Sequence, residues 1–266
     1  MKHDIIRHIP TDCPWKGHIH VFDIIGSTNT YLKEVARKGA PEGTVVIARN
    51  QTDGRGRLGR IFHSPTGKGI YFSLLLRPDL PAESLMHLTC AVGVAVCNAV
   101  ESVTGFRPGI KWINDLVAGS KKAGGILTEL SFGPTGNVAY AVIGIGINCS
   151  HTPEDFPPEL QDIATSLAQY TGRPCDQSKL IAELIAQLYN MYGTLVSSRK
   201  QIMEAYRKDC ITLGKEIQVI QGDIKEIAKA LDVLDDGSLL VRYANGHETA
   251  VNSGEVTVRG MYGYIS

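Results

Sequence analysis

The segment Gln51-Thr52-Asp53-Gly54-Arg55-Gly56-Arg57-Leu58-Gly59-Arg60 contains three glycines and three arginines within its last seven residues. Glycine lets the backbone approach a ligand closely, and arginine guanidinium groups bind carboxylate and phosphate oxygens. A loop of this composition is poorly held by itself. We therefore expect it to become ordered around an anion, with a solvated basic loop as the alternative.

The same loop contains the glycine spacing of a dinucleotide-binding fold, G-x-G-x-x-G, at Gly54–Gly59. In that fold the third glycine opens a helix. Here the next ten residues include Pro65 and two more glycines and lead into a strand. The context therefore argues against dinucleotide binding.

Strands are predicted on both sides of the loop, at Thr44–Ala48 and Ile70–Leu76. An earlier strand, Ile19–Ile25, leads into Gly26-Ser27-Thr28-Asn29 and then a helical pattern, for which Ser27 or Thr28 is a natural N-cap. A strand-to-helix turn of this kind can bind a polar or anionic group. A simple capped helix is the alternative.

Apolar periodicity predicts the later elements of this region. Helices are expected from near Glu83, over Ser178–Ser197 and over Gln201–Cys210; strands are expected at Ile110–Trp112, Gly124–Leu130 and Asn137–Asn148. Residues 151–160 are rich in proline, so an exposed loop is expected there. Lys121 and Lys122 stand at the beginning of an apolar strand, where neighbouring side chains point to opposite faces. Lys122 is therefore expected to face a site while Lys121 faces water, although both could be solvated.

From Leu213 the pattern changes to six short strands separated by turn residues, which indicates a small barrel of roughly 50 residues. The predicted strands are Ile217–Ile220, Ile224–Ala230, Leu231–Leu234, Ser238–Tyr243, Glu248–Val251 and Glu255–Arg259. The domain boundary is expected near Thr212–Gly214. Residues 1–17 lack clear periodicity and are expected to form a short arm.

The composition narrows the class of protein. The chain has 266 residues, is 43% hydrophobic, and carries 27 basic and 27 acidic residues. A balanced charge argues against a protein that coats nucleic acid, and no nucleic-acid or membrane partner is expected. No run of 18 apolar residues and no C-x-x-C pair occurs among the six cysteines. We expect a cytoplasmic protein with reduced thiols.

Six motifs in one order give the chain a specific resemblance. They are Gly26-Ser27-Thr28-Asn29, Gln51-x-x-Gly54-Arg55-Gly56-Arg57-x-Gly59-Arg60, Ser64-Pro65-x-Gly67-x-Gly69-Ile70-Tyr71, Lys111-Trp112-x-Asn114-Asp115, Lys122-x-x-Gly125-Ile126-Leu127 and Gly144-x-Gly146-Ile147-Asn148. Together, over residues from about 18 to 260, they resemble the biotin protein ligase family.

The resemblance implies an α/β (α+β) fold. Its catalytic domain would be a mixed β-sheet flanked by helices, similar to class II synthetases, followed by a small SH3-like β-barrel. The implied domains are an N-terminal arm at 1–17, a catalytic domain at 18–212 and the barrel at 213–266.

The resemblance also implies roles for individual residues. The biotin-binding residues would be Ser27, Thr28, Asn29, Gln51, Arg55, Gly56, Arg57 and Lys122. The ATP-binding residues would be Arg57, Arg60, Lys111, Asn114 and Asn148. The catalytic residues would be Lys122, Arg55 and Arg57. No motif binds a metal directly, and Asp115 would support a metal ion indirectly.

The implied activity is that of a biotin–[acetyl-CoA-carboxylase] ligase. Such an enzyme uses ATP and Mg²⁺ to convert biotin to biotinyl-5′-AMP, then transfers biotin to a lysine of a biotin carboxyl carrier protein domain. A homodimer is compatible with the resemblance. Two residues depart from the family pattern, Ile113 in place of proline and Phe62 in place of tryptophan. We expect altered turn rigidity and packing at these positions, with activity retained.

Three other functions compete with this one. A lipoate–protein ligase would share the fold and the adenylate chemistry, but the arginine loop and the barrel favour biotin. A biotin-responsive repressor would need an N-terminal DNA-binding domain. Because the first catalytic strand begins near residue 18, no such domain and no repressor role are expected. A plain binding protein would release no pyrophosphate.

Overall fold

The computed structural model describes residues 1–134 and 136–253, and the backbone of 257–260. Its helices are α1 (Lys2–His8), α2 (Thr28–Arg37), α3 (Leu88–Thr104), α4 (Leu167–Thr171), α5 (Gln177–Gly193) and α6 (Arg199–Asp209). The strands of the first sheet are β1 (Ile19–Ile25), β2 (Val45–Gln51), β3 (Gly69–Leu76), β4 (Gly109–Lys111), β5 (Asp115–Ala118), β6 (Lys121–Phe132) and β7 (Val138–Asn148). Those of the second sheet are β8 (Glu216–Gln221), β9 (Ile224–Val233), β10 (Leu239–Tyr243), β11 (Glu248–Val251) and β12 (Thr257–Gly260).

The first sheet is mixed and has seven strands in the order β1-β2-β3-β7-β6-β5-β4. Its β1–β2 pair is parallel, and the other neighbouring pairs are antiparallel. A parallel pair needs a crossover connection, and α2 supplies it between β1 and β2. The mixed sheet flanked by helices confirms the predicted fold class.

Helices cover the sheet unequally. The larger core cluster joins α3, α5 and α6 to one face of the sheet. A smaller cluster packs Leu32 and Ala36 of α2 against Val46, Leu75 and Val142 on the other face. The N-terminus of α2 reaches strands β3 and β7, and the sheet beside it lines the cavity described below.

The first residues of the chain, for which a short arm was expected, contain a helix that packs against the rest of the protein. Helix α1 places Ile5 in the main core with no exposed surface, and Trp15 is also buried there. The Trp15 ring packs edge-on against Tyr189 of α5. Isoleucine and tryptophan bury large apolar areas, so these residues add to the catalytic domain core.

Helix α3 belongs to the core as well. Among the described residues, Ala82–Thr104 is long and apolar enough to cross a membrane by length and composition, but about two thirds of it is buried inside the protein. Cys90 and Cys97 are both buried on this helix. Its hydrophobic character therefore follows from packing against α5 and α6.

The C-terminal sheet has five strands in the order β11-β10-β9-β8-β12, consistent with the expected SH3-like barrel. Six strands were predicted, and the division of residues 224–234 into two strands was wrong. Residues 224–233 form the single strand β9, with a register irregularity opposite Leu240 and Val241 in place of a turn. The predicted strand at 255–259 lies partly outside the described residues.

Trp112 and Arg207 provide two of the contacts that attach the C-terminal sheet to the rest of the protein. The indole Nε1 of Trp112 donates to the carbonyl oxygen of Gly237 at 3.0 Å. On α6, the Arg207 guanidinium lies 2.6 Å from both the carbonyl oxygen of Val233 and the Asp235 carboxylate. The Trp112–Ile113 peptide bond beside the first contact is cis.

Candidate active site

One cavity of about 530 Å³ brings together every site residue predicted from the sequence. They are Ser27, Thr28, Asn29, Gln51, Arg55, Gly56, Arg57, Arg60, Lys111, Asn114, Asp115, Lys122 and Asn148. The volume suits a small-molecule ligand of moderate size. The individual roles of these residues remain predictions.

A buried polar group forms one end of the cavity, which we call the head. Ser27 is the N-cap of α2, and its hydroxyl accepts from the backbone N–H of Thr30. The side-chain oxygen of Gln51 accepts from both the N–H and the hydroxyl of Thr28, at 2.9 and 3.0 Å. The Gln51 amide nitrogen donates to the hydroxyl of Ser64 at 3.1 Å. The end of β2 and the start of α2 are thereby locked together.

Asn29 extends the head toward the middle of the sheet. Its Nδ2 donates to Glu129 on β6 at 2.9 Å, and its Oδ1 lies 2.5 Å from the hydroxyl of Ser73 on β3. A side chain at position 144 would place its Cβ only 2.4 Å from Asn29 Oδ1. Gly144 in β7 therefore leaves the space that Asn29 occupies.

The Gly/Arg loop, residues 51–60, was expected to be poorly held by itself, but backbone hydrogen bonds hold it. Gly56 N–H donates to Arg60 O at 2.8 Å, and Phe62 N–H donates to Gly54 O at 2.9 Å. Leu58 adopts left-handed backbone angles, with φ at 56°. The loop contains one turn of 3-10 helix at Arg57–Gly59, closes as a hairpin-like turn, and leads into strand β3.

Arg57 is the most embedded arginine of this loop. Its Nη1 donates to Asn114 Oδ1 at 3.0 Å, and its Nη2 donates to the carbonyl oxygen of Ser253 in the barrel at 2.5 Å. Burial lowers the pKa of the Arg57 guanidinium, and the negative charge of Asp115 opposes that effect. An arginine starts from so high a pKa that it stays charged.

Arg55 and Arg60 have a different environment. Both side chains are exposed, and the Arg55 guanidinium pairs with Asp53 at 3.0 Å. An exposed pair of this kind contributes little to stability. Both arginines reach the cavity wall while remaining open to solvent.

Lys122 and Lys121 diverge as the strand pattern predicts. The Nζ of Lys122 lies in the cavity wall, 2.5 Å from the Asp115 carboxylate. The Nζ of Lys121 donates to the carbonyl oxygen of Gln161, outside the cavity lining. Lys121 was expected to face water; it is half-buried because residues after β7 fold over it.

The segment 151–165 was predicted to begin as an exposed loop, and that prediction was wrong at two positions. His151 and Phe156 are buried, and Phe156 lines the cavity. Lys122 N–H donates to Ile163 O, and Thr165 N–H donates to Lys122 O. The segment therefore forms a wall beside Lys122, fixed by Asn148 Nδ2 donating to Thr165 O at 3.0 Å.

Several lining residues were not predicted as site residues. Phe62, His63, Tyr71, Phe72, Phe156, Leu160 and Ile163 all border the cavity. A Cβ at position 146 would lie 2.5 Å from the Phe62 ring, so Gly146 lets this phenylalanine lie on β7. The glycines inside β7 were the available signal, since they indicate close approach by another group.

His151 gives a pH-dependent prediction. Its ring is stacked on Phe156, and neither nitrogen has a hydrogen-bond partner among the described residues. Burial lowers the pKa of His151 from 6.5 to about 4, and nearby His63 adds to the effect. The unfolded chain therefore binds this proton first, and stability falls as the pH drops from 6.5 toward 4.

We expect His151→Leu to remove this pH dependence. Between pH 7 and pH 5 the parent should lose about 2 kcal/mol of unfolding free energy through His151, and the variant should not. Urea denaturation at both pH values measures this difference. The exposed His247 provides the control through His247→Leu, and an equal pH dependence in parent and His151→Leu would contradict the assignment.

Two cations of the cavity are held by consecutive residues. Arg57 bonds to Asn114, and Lys122 pairs with Asp115, at the turn that leads into β5. Asn114 is itself fixed, because its Nδ2 donates to Ile126 O at 2.8 Å. The arrangement preorganises two positive charges beside the polar head, which suits a ligand or transition state with several anionic oxygens.

Comparison with known proteins identifies the family. The sequence model of the Biotin/lipoate A/B protein ligase family matches residues 21–148. The chain is 37% identical over 233 residues to the bifunctional ligase/repressor BirA of Bacillus subtilis, covering 86% of this chain and 70% of that protein. It is 31% identical over 237 residues to the biotin--[acetyl-CoA-carboxylase] ligase of Mycobacterium tuberculosis, covering 87% and 85%.

A solved structure agrees with these sequence matches. The biotin protein ligase from Aquifex aeolicus in complex with biotin and ATP superposes with a TM-score of 0.78 at 28% identity. The match covers 91% of this chain and 99% of that one. The chain therefore belongs to the biotin protein ligase family of enzymes.

Proposed function

We propose that this enzyme joins biotin to ATP, forming biotinyl-5′-AMP and pyrophosphate, and then transfers biotin to a lysine of a biotin carboxyl carrier protein domain. The observation that carries the proposal is the pair of cations, Arg57 and Lys122, anchored on consecutive residues beside a polar head. The relatives with ligase names and the Aquifex aeolicus complex with biotin and ATP support the choice of substrates.

The first half of the reaction brings two anions together. The biotin carboxylate attacks the α-phosphorus of ATP, and pyrophosphate leaves. Arg57 and Lys122 would lower the repulsion between the anions and stabilise the charge that develops on the phosphoryl oxygens. The head residues Ser27, Thr28 and Gln51 would hold the ureido ring, which places the carboxylate toward these cations.

In the second half, a carrier lysine attacks the mixed anhydride and AMP leaves. The lysine amine has an ordinary pKa near ~10.4, so it must lose a proton at the site. Asp115 is the carboxylate among the described lining residues, and we propose it as the acceptor. The Gly/Arg loop would exclude water from the adenylate while the carrier approaches.

The described residues do not form a metal site of their own. No group of three or more histidine, cysteine or acidic side chains in the described chain can hold an ion. Among the described residues that line the cavity, Asp115 is the one with a carboxylate, and it forms an ion pair with Lys122. Magnesium usually reaches such sites on substrate phosphates. We propose that Mg²⁺ arrives with ATP and lowers the charge of the phosphates.

Mass spectrometry of a carrier domain tests the function. The protein is incubated with ATP, Mg²⁺, biotin and an apo carrier domain, and the carrier is expected to gain the mass of one biotinyl group. A carrier whose target lysine is replaced by arginine is the control. The matching family model also includes lipoate ligases, so a parallel reaction replaces biotin with lipoate. We expect lipoate to leave the carrier unchanged. Modification by lipoate but not by biotin would contradict the proposal.

We further propose that the protein acts in the cytoplasm as a ligase without a repressor role. The Bacillus subtilis relative is named as both ligase and repressor. The proposal is supported by the balanced charge of this chain, 27 basic and 27 acidic residues, which offers no general basic excess for binding DNA. A gel-shift assay with operator-length duplex DNA is expected to show no specific complex.

A further inference from the structure

A chain of polar side chains runs behind the cavity head from the surface into the sheet. Lys33 Nζ lies 2.8 Å from one oxygen of Glu129, and the other oxygen accepts from Asn29 Nδ2 at 2.9 Å. Asn29 Oδ1 meets the hydroxyl of Ser73, which has no exposed surface. Neither Glu129, Lys33 nor Ser73 lines the cavity.

The chemistry of these groups fixes their orientation. An ionised carboxylate can only accept hydrogen bonds, so Glu129 must face the amide nitrogen of Asn29. The amide oxygen of Asn29 is then directed toward Ser73, in the space left by Gly144. Lys33 keeps the charge on Glu129 paired. A single carboxylate thereby decides which end of the asparagine amide points each way.

The same logic extends to two other head residues, Thr28 and Gln51. The Thr28 hydroxyl gives its hydrogen to Gln51, whose oxygen also accepts the Thr28 N–H. The Ser73 hydroxyl has one hydrogen, and Thr28 Oγ1 at 2.7 Å and Asn29 Oδ1 at 2.5 Å both lie within its reach, so the two oxygens share Ser73 as their donor. One amide hydrogen of Gln51 is donated to Ser64, and Gln51 lines the cavity.

We propose that Glu129, supported by Lys33 and Ser73, is a positioning residue for biotin binding. It fixes the Asn29 amide and, through Ser73, the Thr28 hydroxyl, so that the head presents a set pattern of donors and acceptors to a cyclic urea. The inference rests on the proposed placement of biotin at the head. It assigns specificity to residues that do not touch the ligand.

The test compares biotin and ATP binding in Glu129→Gln. Glutamine has nearly the same shape but can donate, so it allows Asn29 to reverse its amide. Loss of a hydrogen bond to a charged group predicts a rise of about tenfold or more in the biotin Kd. The Kd and KM for ATP should stay within about twofold of the parent value. Calorimetry measures biotin binding, and steady-state pyrophosphate release gives the KM for ATP.

Matched variants separate positioning from general damage. Asp209→Asn breaks another partly buried ion pair, with Arg107, away from the cavity, and it should lower Tm without changing biotin affinity. Ser73→Ala removes the hydroxyl that joins Asn29 to Thr28, and it should weaken biotin binding severalfold while leaving ATP unaffected. If Glu129→Gln does not fold, biotin binding by Ser73→Ala tests the proposal instead.

The outcomes distinguish the inference from the function on which it rests. Gln51→Ala changes a head residue directly and should weaken biotin binding. If Gln51→Ala does so while Glu129→Gln and Ser73→Ala bind biotin like the parent, the positioning role is overturned and the placement of biotin stands. If Gln51→Ala binds biotin normally, the placement fails and the positioning role with it. An equal loss of biotin and ATP affinity in Glu129→Gln also overturns the role.

Discussion

Replacement of Lys122 by alanine is expected to lower the rate of biotin adenylation by about 100-fold or more, the scale seen when a preorganised charge donor is lost. The Lys122 ammonium is half-buried in the cavity wall and held by Asp115. Without it, the Asp115 carboxylate loses this ion-pair partner beside the position proposed for two anionic substrates. Biotin-dependent pyrophosphate release in single-turnover conditions measures the loss.

The adjacent lysine provides a matched control. Lys121→Ala removes the same charge one residue earlier, but Lys121 bonds to Gln161 O outside the cavity lining. We expect this variant to adenylate biotin at close to the parent rate. Equal pyrophosphate release by Lys122→Ala and the parent would refute the role of Lys122. Equal losses in both lysine variants would point to net charge as the cause.

Arg57→Ala is expected to release biotinyl-AMP faster and to bind biotin more weakly. The guanidinium joins the Gly/Arg loop to Asn114 and to the barrel carbonyl of Ser253. Its removal takes away both a charge that we propose binds the phosphate and two contacts that hold the loop, so the dissociation rate should rise by about tenfold or more. Stopped-flow displacement of biotinyl-AMP measures this rate, and calorimetry measures biotin affinity.

Two further arginine variants define what Arg57 contributes. Arg57→Lys keeps the charge but loses the planar fork, so an intermediate dissociation rate is expected. Arg49→Ala removes an exposed arginine that pairs with Asp23 at the surface, and it should leave the rate unchanged. If Arg57→Ala retained biotinyl-AMP as well as the parent, the loop would have to be held by other residues.

Local signals in the sequence predicted the parts of the site that depend on neighbouring residues. Strand β1 and the helix cap at Ser27 lie where alternation and capping chemistry place them. The divergence of Lys121 and Lys122 follows from the strand pleat, which is also a local property. The resemblance to a family then connected motifs more than 100 residues apart, and all of the site residues that it implied line the cavity.

Contacts between residues far apart in the sequence could not be predicted from local sequence patterns. Glu129 lies 100 residues from Asn29 in sequence, and nothing near either residue indicates that they meet. Phe156 stands among prolines that suggest exposure, yet tertiary packing buries it. Helix α1 was missed because seven residues give too short a window for periodicity, and its stability comes from burying Ile5 against the domain.

The hydrogen bond from Arg57 to Ser253 O makes the small barrel a thermodynamic partner of the active site. Any ligand that draws the guanidinium away from this carbonyl weakens the attachment of the barrel. By reciprocity, release of the barrel must raise the affinity for that ligand by the same factor by which the ligand weakens the attachment. Amide hydrogen exchange around Val251, at the end of β11, therefore reports occupancy of a cavity that this strand does not line.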